Sequence, residues 1–326
     1  MKAVLCKGFG GPGTLVVEDV AAPVPGPEEV RIRVHAAGVN FPDTLIIEGR
    51  YQIRPEPPFS PGGEVAGVID AVGERVSGLA PGDRVMALTG WGGFAEQVVV
   101  DAGRAMAIPD SMDFVTAAGF TMTYGTSMHA LKQRGRLAAG ETLLVLGAGG
   151  GVGLTAVELG RVMGATVIAA AGSADKLAAA QAAGAHHLIN YRDGDFRAQV
   201  KAIAGPRGVD VVYDPVGGPL FEEALRSLAW KGRLLVVGFA SGQIPQAPAN
   251  LPLLKGADIV GVFWGAFCRH EPEENRRNFA ELVALHAAGR LRPHIGQVLP
   301  LERAGEALNA LSARSVTGKI VLRVEP

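Results

Sequence analysis

The sequence has 326 residues, 48% of them hydrophobic, with a formal net charge of -1 and two cysteines. This length exceeds one ordinary hydrophobic core and predicts two domains. The near-neutral charge gives no electrostatic basis for binding nucleic acid or an anionic membrane, and no apolar run approaches a membrane span. We interpret residues 1–7 as an opening strand instead of a signal peptide. Cys6 and Cys268 are interpreted as thiols of a reducing compartment, so a cytoplasmic location is expected.

The first third of the chain predicts a small, mainly β domain. Segments of β character such as 30–36, 64–72 and 94–100 are separated by glycine- and proline-containing turns. Residues 30–36 alternate apolar and polar side chains with period two, as a half-buried strand does. Regularly spaced short strands of this kind are typical of a barrel-like domain.

The pattern changes near residue 112, where a helix is predicted over 114–131. Strands and helices then alternate, which predicts a parallel, doubly wound sheet of the Rossmann type. Its predicted strands are 142–146, 166–171, 187–189, 209–213, 233–237 and, at the edge, 259–264. The tail, with predicted helices at 272–288 and 302–311 and a strand at 319–324, is expected to complete the first domain. The predicted domains are therefore 1–122 with 266–326, and 123–265.

A glycine loop follows the strand 142–146 and opens a helix at 154–163. The loop, GAGGGVG at 147–153, has Gly150 and Gly153 at the second and third positions of a dinucleotide fingerprint, but Ala148 at the first. Glycines allow a tight turn close to a pyrophosphate, and the helix N-terminus attracts its negative charge. A glycine-rich hairpin or a tight helix–strand contact is the alternative interpretation of such a run.

The end of the next strand predicts which cofactor is bound. In NAD-preferring proteins an acidic residue about 20 residues past the fingerprint holds the ribose hydroxyls, and here that position is Gly172. Glycine leaves room for a 2′-phosphate, to which Ser173 and Lys176 can donate hydrogen bonds. Tyr191 could lie near the same ribose, as could Arg192. We interpret Asp175 as a residue of the following helix, favoured by the helix dipole. NADPH is therefore predicted.

The sequence resembles the zinc-free NADPH:quinone oxidoreductase branch, which includes zeta-crystallin, of the medium-chain dehydrogenase/reductase superfamily. The resemblance extends over nearly the whole chain. Besides the glycine loop it rests on AGVNFPD at 37–43, GRY at 49–51, PGGEVAG at 61–67, PGDRV at 81–85, GGFAE at 92–96, GAHHLINY at 184–191, DVVYDPVGG at 210–218 and GK at 318–319. It implies an α/β fold in which a Rossmann-type domain is inserted in a mainly β, GroES-like barrel catalytic domain, with NADPH in the cleft.

The resemblance also implies roles for individual residues. Near the nicotinamide ribose and the reacting centre it places Asn40 and Thr126, with Tyr51 as a polar contact in the substrate pocket. The other implied cofactor contacts are Gly150, Gly151 and Val152 at the pyrophosphate, Gly172, Ser173, Lys176 and Tyr191 at the adenosine end, Phe239, Ser241, Phe263 and Trp264 around the nicotinamide, and Arg314 closing over the cofactor. The alternative for Phe263 and Trp264 is an ordinary core role.

Two departures from related enzymes bear on the chemistry. Zinc-dependent relatives bind their catalytic metal through a cysteine near the Asn40 segment and a histidine before a glutamate. Here residues 38–43 contain no cysteine and Gly63 precedes Glu64, so no metal is predicted. Quinone-branch relatives can carry a tyrosine where this chain has Leu45, which leaves the acceptor preference open. Asp43 and Glu64 are interpreted as buried hydrogen-bonding groups, with an acid role as the alternative.

The predicted reaction is hydride transfer from NADPH to a quinone or a related electron-poor acceptor. The resulting oxyanion can be protonated by solvent or a hydroxyl, so orientation and a dry site would provide most of the catalysis. An enoyl or 2-alkenal reductase is the first alternative. A non-catalytic or nucleic-acid-binding crystallin-like protein is the alternative of another class, and the absence of a basic stretch argues against it. The resemblance also predicts a homodimer through the apolar edge strand 258–264.

Overall fold

The computed structural model describes residues 1–324, which divide into two compact units. The first contains Met1–Met122 and the segment from Pro293 onward, and the second is Thr123–Arg292. The first boundary coincides with the sequence prediction, but the second lies at 292/293 instead of 265/266. The reason is that residues 266–292 pack with the second unit, where Asn278 accepts a hydrogen bond from Lys132 Nζ at 3.2 Å and from Gln133 Nε2 at 3.1 Å.

The N-terminal part of the first unit consists mainly of short strands joined by turns. Its elements are β1 (Lys2–Leu5), β2 (Val16–Asp19), β3 (Glu29–Val39), α1 (Phe41–Ile47), β4 (Glu64–Val72), β5 (Arg84–Leu88), β6 (Gln97–Asp101), β7 (Ala105–Ala107) and α2 (Phe114–Ala118). Single turns of 3-10 helix occur at Pro12–Thr14 and Ala102–Arg104. Helix α3 (Thr121–Met128) contains the boundary between the two units.

The second unit contains the alternating strands and helices that the sequence predicts. After α3 comes a π-helical segment, His129–Arg134, and then β8 (Thr142–Leu146), α4 (Gly151–Val162), β9 (Thr166–Ala171), α5 (Ala174–Ala182), β10 (His187–Asn190), α6 (Phe196–Ala204), β11 (Val209–Asp214), α7 (Leu220–Arg226), β12 (Leu228–Val236), α8 (Asn250–Lys255), β13 (Asp258–Gly261), α9 (Trp264–His270) and α10 (Pro272–Ala287). The six strands are parallel in the order β10-β9-β8-β11-β12-β13. This is the doubly wound order of dinucleotide-binding sheets, in which the strand order reverses beside β8.

The tail completes the sheet of the first unit, as the sequence predicts. Its elements are β14 (Ile295–Pro300), a 3-10 turn at Leu301–Arg303, α11 (Ala304–Ser312) and β15 (Lys319–Arg323). β15 pairs antiparallel with β3, with Ile320 opposite Val39, and the sheet has the order β14-β15-β3-β4-β5-β7 with β6 on β3. Fully buried aliphatic side chains such as Ile32, Val65 and Leu322 form its core.

Local structure differs from the sequence prediction at two places that bear on the site. The predicted helix 114–131 is interrupted at residues 119–120, where Gly119 is the C-cap of α2. A Cβ on Gly119 would lie 2.7 Å from Ile295 Cδ1, so the two segments approach closely at this point. The predicted edge strand 259–264 ends at Gly261, and Trp264 begins α9. Within residues 1–324, no helix combines the length and the apolar character required to cross a membrane.

Candidate active site

The glycine loop of the second unit has the geometry of a tight strand-to-helix turn. Gly147 adopts a φ of +59°, and the Ala148 amide donates to Ala170 O on β9 at 3.0 Å. A Cβ on Gly153 would lie 2.2 Å from Gly147 O, so only glycine allows α4 to pack this closely against the end of β8. Ala148 is fully buried and faces no such restriction, which explains why the first fingerprint position need not be glycine here.

Gly150 is different, because nothing in the protein requires glycine at this position. Its φ of -85° and ψ of 170° suit any residue, and a Cβ there would meet only Gly147 O, at an ordinary 3.5 Å. Gly150 is the N-cap of α4, and the amides of Gly151 and Val152 follow in the first turn, where helix N–H groups lack intrahelical partners. A small residue beside a helix N-terminus leaves room for a phosphate group, so this loop fits a pyrophosphate.

The residues predicted at the adenosine end converge beside this loop. A Cβ on Gly149 would lie 2.4 Å from Lys176 Cβ, which shows that the lysine stem lies directly on the loop backbone. A Cβ on Gly172 would lie 2.8 Å from the Tyr191 hydroxyl, so the tyrosine ring packs against the glycine at the end of β9. Ser173 is the N-cap of α5 but makes no capping hydrogen bond with its side chain.

Asp175 lies in the first turn of α5, as the sequence predicts, and its side chain is exposed. The position that would carry a ribose-binding carboxylate in an NAD-preferring protein is therefore occupied by Gly172 in the fold as well as in the sequence. Tyr191 lies beside Gly172 and Lys176 lies against Gly149 of the loop, and both side chains can donate hydrogen bonds.

The residues predicted around the nicotinamide occupy two different environments in the second unit. Phe239 and Ser241 lie over the turn after β11, where the Ser241 hydroxyl is 2.9 Å from the place of a Cβ on Gly218. Trp264 is buried, its indole ring lies against Gly125, and its Nε1 donates to Asn275 Oδ1 at 3.1 Å. Phe263 is 51% exposed.

A buried chain of hydroxyl groups ties the glycine-loop helix to the rest of this unit. Ser127 Oγ lies 2.8 Å from Thr155 Oγ1, 2.9 Å from the Tyr213 hydroxyl and 3.0 Å from Val152 O. Thr126, the half-buried neighbour of Ser127 on α3, is thus held beside the first turn of α4. The roles of Ser127, Thr155 and Tyr213 were not predicted from the sequence. Three hydroxyl groups in otherwise apolar segments were the available signal, but their proximity depends on contacts distant in sequence.

In the first unit, Asn40 belongs to a buried polar cluster with Glu64 and Lys319. Asn40 is the N-cap of α1, but its carboxamide does not cap the helix. Its Nδ2 donates to Glu64 Oε1 at 2.8 Å, and its Oδ1 accepts from Lys319 Nζ at 2.5 Å. Lys319 also donates to Val39 O at 3.0 Å and forms an ion pair with Glu64 at 2.5 Å. The carboxamide orientation is therefore fixed from both sides.

Asp43 adjoins this cluster on the first turn of α1. Its carboxylate accepts a hydrogen bond from the Asn40 amide at 2.8 Å, in the manner of a capping box. Burial raises the pKa of Asp43 to about 7, and the nearby negative charge of Glu64 also raises it, whereas the Asn40 amide and Lys319 oppose the rise. Burial, together with the charge of Asp43, also raises the pKa of Tyr51. Asp43 and Glu64 are thus buried hydrogen-bonding groups, as the sequence predicts.

Two further predictions concern Arg314 and metal binding. Arg314 lies in the exposed turn between α11 and β15 with a φ of +54°. Among residues 1–324, no three histidine, cysteine or acidic side chains are grouped as a metal site requires. The contact of Lys319 with Asn40 was not predicted, because the lysine, part of the GK motif at 318–319, is distant in sequence from Asn40.

Each of the two units matches a known protein family. Residues 26–110 match the alcohol dehydrogenase GroES-like domain, and residues 151–284 match the zinc-binding dehydrogenase family. Quinone oxidoreductase-like protein 2 of Bos taurus is 40% identical over 325 residues, covering 99% of this chain and 93% of the relative. Two solved structures are also similar over 99% of this chain and 100% of theirs. Mycobacterial Rv1454c complexed with NADPH is 32% identical with a TM-score of 0.93, and Escherichia coli quinone oxidoreductase complexed with NADPH is 29% identical with a TM-score of 0.92. The chain therefore belongs to the quinone oxidoreductase-like family of the medium-chain dehydrogenase/reductase superfamily.

Proposed function

We propose that this protein is an NADPH-dependent oxidoreductase that transfers hydride to a quinone or a related electron-poor acceptor without zinc. Bound NADPH would supply the hydride. The side chains of the protein would bind the cofactor and the acceptor, orient them, and protonate the reduced acceptor. The observation that carries the proposal is the contact between Gly149 of the glycine loop and the stem of Lys176, beside a β9 end that lacks a carboxylate.

The cofactor preference follows from the charges around Gly172. A carboxylate at this position would repel a 2′-phosphate, whereas glycine does not, and Lys176 brings a positive charge next to the loop. The Tyr191 hydroxyl lies beside Gly172, and Ser173 follows Gly172 in the chain with a second hydroxyl group. Gly150, Gly151 and Val152 are proposed to hold the pyrophosphate. Within residues 1–324, no other part of the protein fills the space beside Gly150, where a Cβ would meet only Gly147 O, so a phosphate group can approach the helix N-terminus.

The remaining contacts with the cofactor are proposed from the resemblance to the family. Around the nicotinamide they are Asn40, Thr126, Phe239, Ser241, Phe263 and Trp264, with Arg314 closing over the cofactor. The buried position of Trp264 and its bond to Asn275 favour a supporting role, while the exposed ring of Phe263 is available for contact. Asn40 is held rigidly by Glu64 and Lys319, which suits a group that must orient a reactant.

The acceptor is proposed to bind beside Tyr51 in the first unit. Quinones and α,β-unsaturated carbonyls share one feature, since hydride addition to either leaves an anion delocalised onto oxygen. Tyr51 is a partly buried hydroxyl that can donate to such an oxygen. An enoyl or 2-alkenal acceptor is the second candidate, favoured by the partly buried, apolar Leu45 where quinone-branch relatives can carry tyrosine.

The proposal that the reaction proceeds without zinc is supported by the residues found where zinc-dependent relatives have their zinc ligands. Residues 38–43 contain no cysteine and Gly63 precedes Glu64, whereas zinc-dependent relatives supply a cysteine near this segment and a histidine before the glutamate. A lysine ammonium group contacts both Asn40 and Glu64, and a cation at this place would repel a bound metal ion.

A homodimer is proposed through the edge strand β13. The strand is shorter than predicted, but it lies at the edge of the six-stranded sheet, and Ile259 is 38% exposed. An apolar edge strand presents backbone donors and acceptors that a second copy can pair with.

Steady-state kinetics with a panel of acceptors tests the function. The purified protein is mixed with NADPH or NADH and with ortho-quinones, para-quinones, 2-alkenals or enoyl thioesters, and both cofactor oxidation and the reduced product are measured. We expect faster turnover with NADPH than with NADH and the highest kcat/KM with a quinone. Turnover of the alkenals alone would favour the second candidate, and no turnover of any acceptor would refute the proposal.

A further inference from the structure

We propose that Ser127 is a positioning residue for the cofactor: its hydroxyl group fixes the first turn of α4 and so sets the affinity of the glycine loop for the pyrophosphate. This inference rests on the place proposed above for the pyrophosphate, at Gly150, Gly151 and Val152. It adds a side chain that does not touch the cofactor but holds the backbone that binds it.

The first support is a backbone oxygen at the start of α4 that two side-chain hydroxyl groups reach. Val152 O lies 3.0 Å from Ser127 Oγ and 3.0 Å from Thr155 Oγ1, and Thr155 Oγ1 also lies 3.2 Å from Thr123 O. A carbonyl oxygen can only accept a hydrogen bond, so the two hydroxyl groups are the donors. Val152 is the second residue of α4, and these contacts therefore restrain the turn whose amide groups lack intrahelical partners.

The Tyr213 hydroxyl determines where the Ser127 hydroxyl points. The two oxygens are 2.9 Å apart, and both side chains are 0% exposed. Within residues 1–324 the phenol oxygen has Ser127 Oγ as its one hydrogen-bonding partner. A buried donor without an acceptor is costly, so Tyr213 donates to Ser127. The proton of Ser127 is then directed toward α4, where Val152 O and Thr155 Oγ1 can accept it.

This chain of hydroxyl groups lies where the strand order of the sheet reverses. Tyr213 on β11 is paired with Val145 on β8, and the glycine loop follows β8 directly. A Cβ on Gly147 would lie 2.8 Å from Val216 Cγ2, so the turn after β11 touches the loop. Doubly wound sheets bind their ligands at this reversal. The hydroxyl groups are thus next to the loop proposed to hold the pyrophosphate, not in a remote part of the core.

Helix α3, which carries Ser127, is itself held in place. A Cβ on Gly125 would lie 2.4 Å from Trp264 Cζ2, so the helix backbone lies directly on the indole ring. The Tyr124 hydroxyl forms a hydrogen bond with the Glu158 carboxyl group one turn further along α4. Ser127 therefore acts from a fixed support, and the amide groups of the loop are oriented before the cofactor binds. Orientation in advance increases affinity because less ordering is required on binding.

Binding of cofactor fragments to Ser127→Ala, measured by titration calorimetry, tests this role without catalysis. Adenosine 2′,5′-bisphosphate carries a 5′-phosphate, which corresponds to one half of the pyrophosphate, whereas adenosine 2′-monophosphate lacks it. We expect the wild-type protein to bind the bisphosphate more tightly than the monophosphate. In Ser127→Ala the Kd for the bisphosphate and for NADPH should rise about threefold to tenfold, the net effect of one hydrogen bond. The Kd for the monophosphate should stay unchanged.

Ser227→Ala is the matched control. Ser227 is also a buried serine, and its hydroxyl group donates to a helix carbonyl, Glu223 O, at 2.8 Å, but it follows α7 and does not contact the glycine loop. This variant should have a lower Tm and unchanged Kd values for all three ligands. Lys176→Ala, in contrast, should weaken binding of the monophosphate as well, because its proposed partner is the 2′-phosphate.

Hydrogen exchange of the amides at 151–155 in the cofactor-free protein gives a second measurement. Exchange should be faster in Ser127→Ala than in the wild type, since the first turn of α4 is less restrained, and should be unchanged in Ser227→Ala. If Ser127→Ala does not fold, Thr155→Val removes the other hydroxyl group on Val152 O and serves instead, with the same expected results.

Several outcomes would overturn the inference. A lower Tm with an unchanged Kd for the bisphosphate, equal losses for the two adenosine phosphates, or unchanged exchange at 151–155 would each show that Ser127 only stabilises the fold. If the wild-type protein bound the bisphosphate no more tightly than the monophosphate, the proposed pyrophosphate position would fail together with the inference. These measurements depend on binding alone, so a failure to reduce any acceptor would refute the proposed function without altering them.

Discussion

The substitution Asp43→Asn should change how the free energy of unfolding depends on pH. This effect can be measured without any catalytic turnover. The side chains have nearly the same shape, and the amide oxygen can still accept the hydrogen bond from the Asn40 backbone. The variant loses only the ability to ionise. In the wild-type protein, burial of this carboxyl group raises its pKa from the ordinary 3.8 to about 7. The neutral form is therefore favoured by the fold.

The size and the sign of the effect follow from this pKa. Each pH unit between the unfolded and folded pKa values contributes about 1.4 kcal/mol, so a change from 3.8 to about 7 corresponds to roughly 4 kcal/mol. Between these pH values the folded protein binds a proton that the unfolded chain has released. The free energy of unfolding of the wild type, relative to Asp43→Asn, is therefore highest near pH 4. It should fall by roughly 4 kcal/mol as the pH rises to about 7 and then stay constant.

Urea denaturation of both proteins from pH 4 to pH 9, followed by circular dichroism, measures this difference. Asp113→Asn provides a control of opposite sign. Although burial alone would raise the pKa of Asp113, hydrogen bonds from the Thr116 side chain and backbone outweigh it and lower the pKa. The stabilisation from Asp113 is thus present above the unfolded pKa and lost at lower pH. A constant difference between wild type and Asp43→Asn over the whole range would refute the idea of a protonated Asp43.

Four further results are expected. Lys176→Ala should raise the Kd for NADPH about tenfold or more and leave that for NADH nearly unchanged, because one charge-assisted hydrogen bond is lost; equal losses, measured by fluorescence titration, would remove its phosphate role. Gly150→Ala should keep the wild-type Tm but weaken NADPH binding, whereas Gly153→Ala, whose Cβ would lie 2.2 Å from a backbone oxygen, should cost about 2 kcal/mol or more of stability. Elemental analysis of the purified protein should find no stoichiometric zinc, and one zinc per chain would contradict the zinc-free proposal. Ile259→Lys should convert a dimer into monomers by light scattering, while an unchanged mass would exclude pairing through β13.

Much of the nucleotide-binding unit could be predicted because its signals are local. The strand 142–146 is followed directly by the glycine loop and then by a helix. The repeated alternation of strands and helices along the chain implies a parallel sheet. The end of β9 could be read in the same way, since Gly172, Ser173 and Lys176 follow directly from the strand. The predicted fold class of both units agrees with the structure and with the family.

The sequence could not locate features that depend on contacts between distant segments. The apolar run after β13 looks like a longer strand, but packing of the Trp264 indole ring against Gly125 and its bond to Asn275 favour a helix start. The same packing explains why residues 266–292 join the second unit. The hydroxyl groups of Ser127, Thr155 and Tyr213 come from two helices and one strand, so their contact could not be inferred from local pattern.

The chemical difference between Asp43 and Glu64 is also set by a distant contact, namely the register of β15. Both are acidic residues in apolar, glycine-rich sequence, and nothing local distinguishes them. The pairing of Ile320 with Val39 brings Lys319 beside Asn40, where its ammonium group contacts Glu64. A shift of this strand by one residue would turn Lys319 to the other face of the sheet and leave both carboxyl groups without a cation. Which of the two carboxyl groups is paired with the ammonium group is therefore a property of the strand pairing.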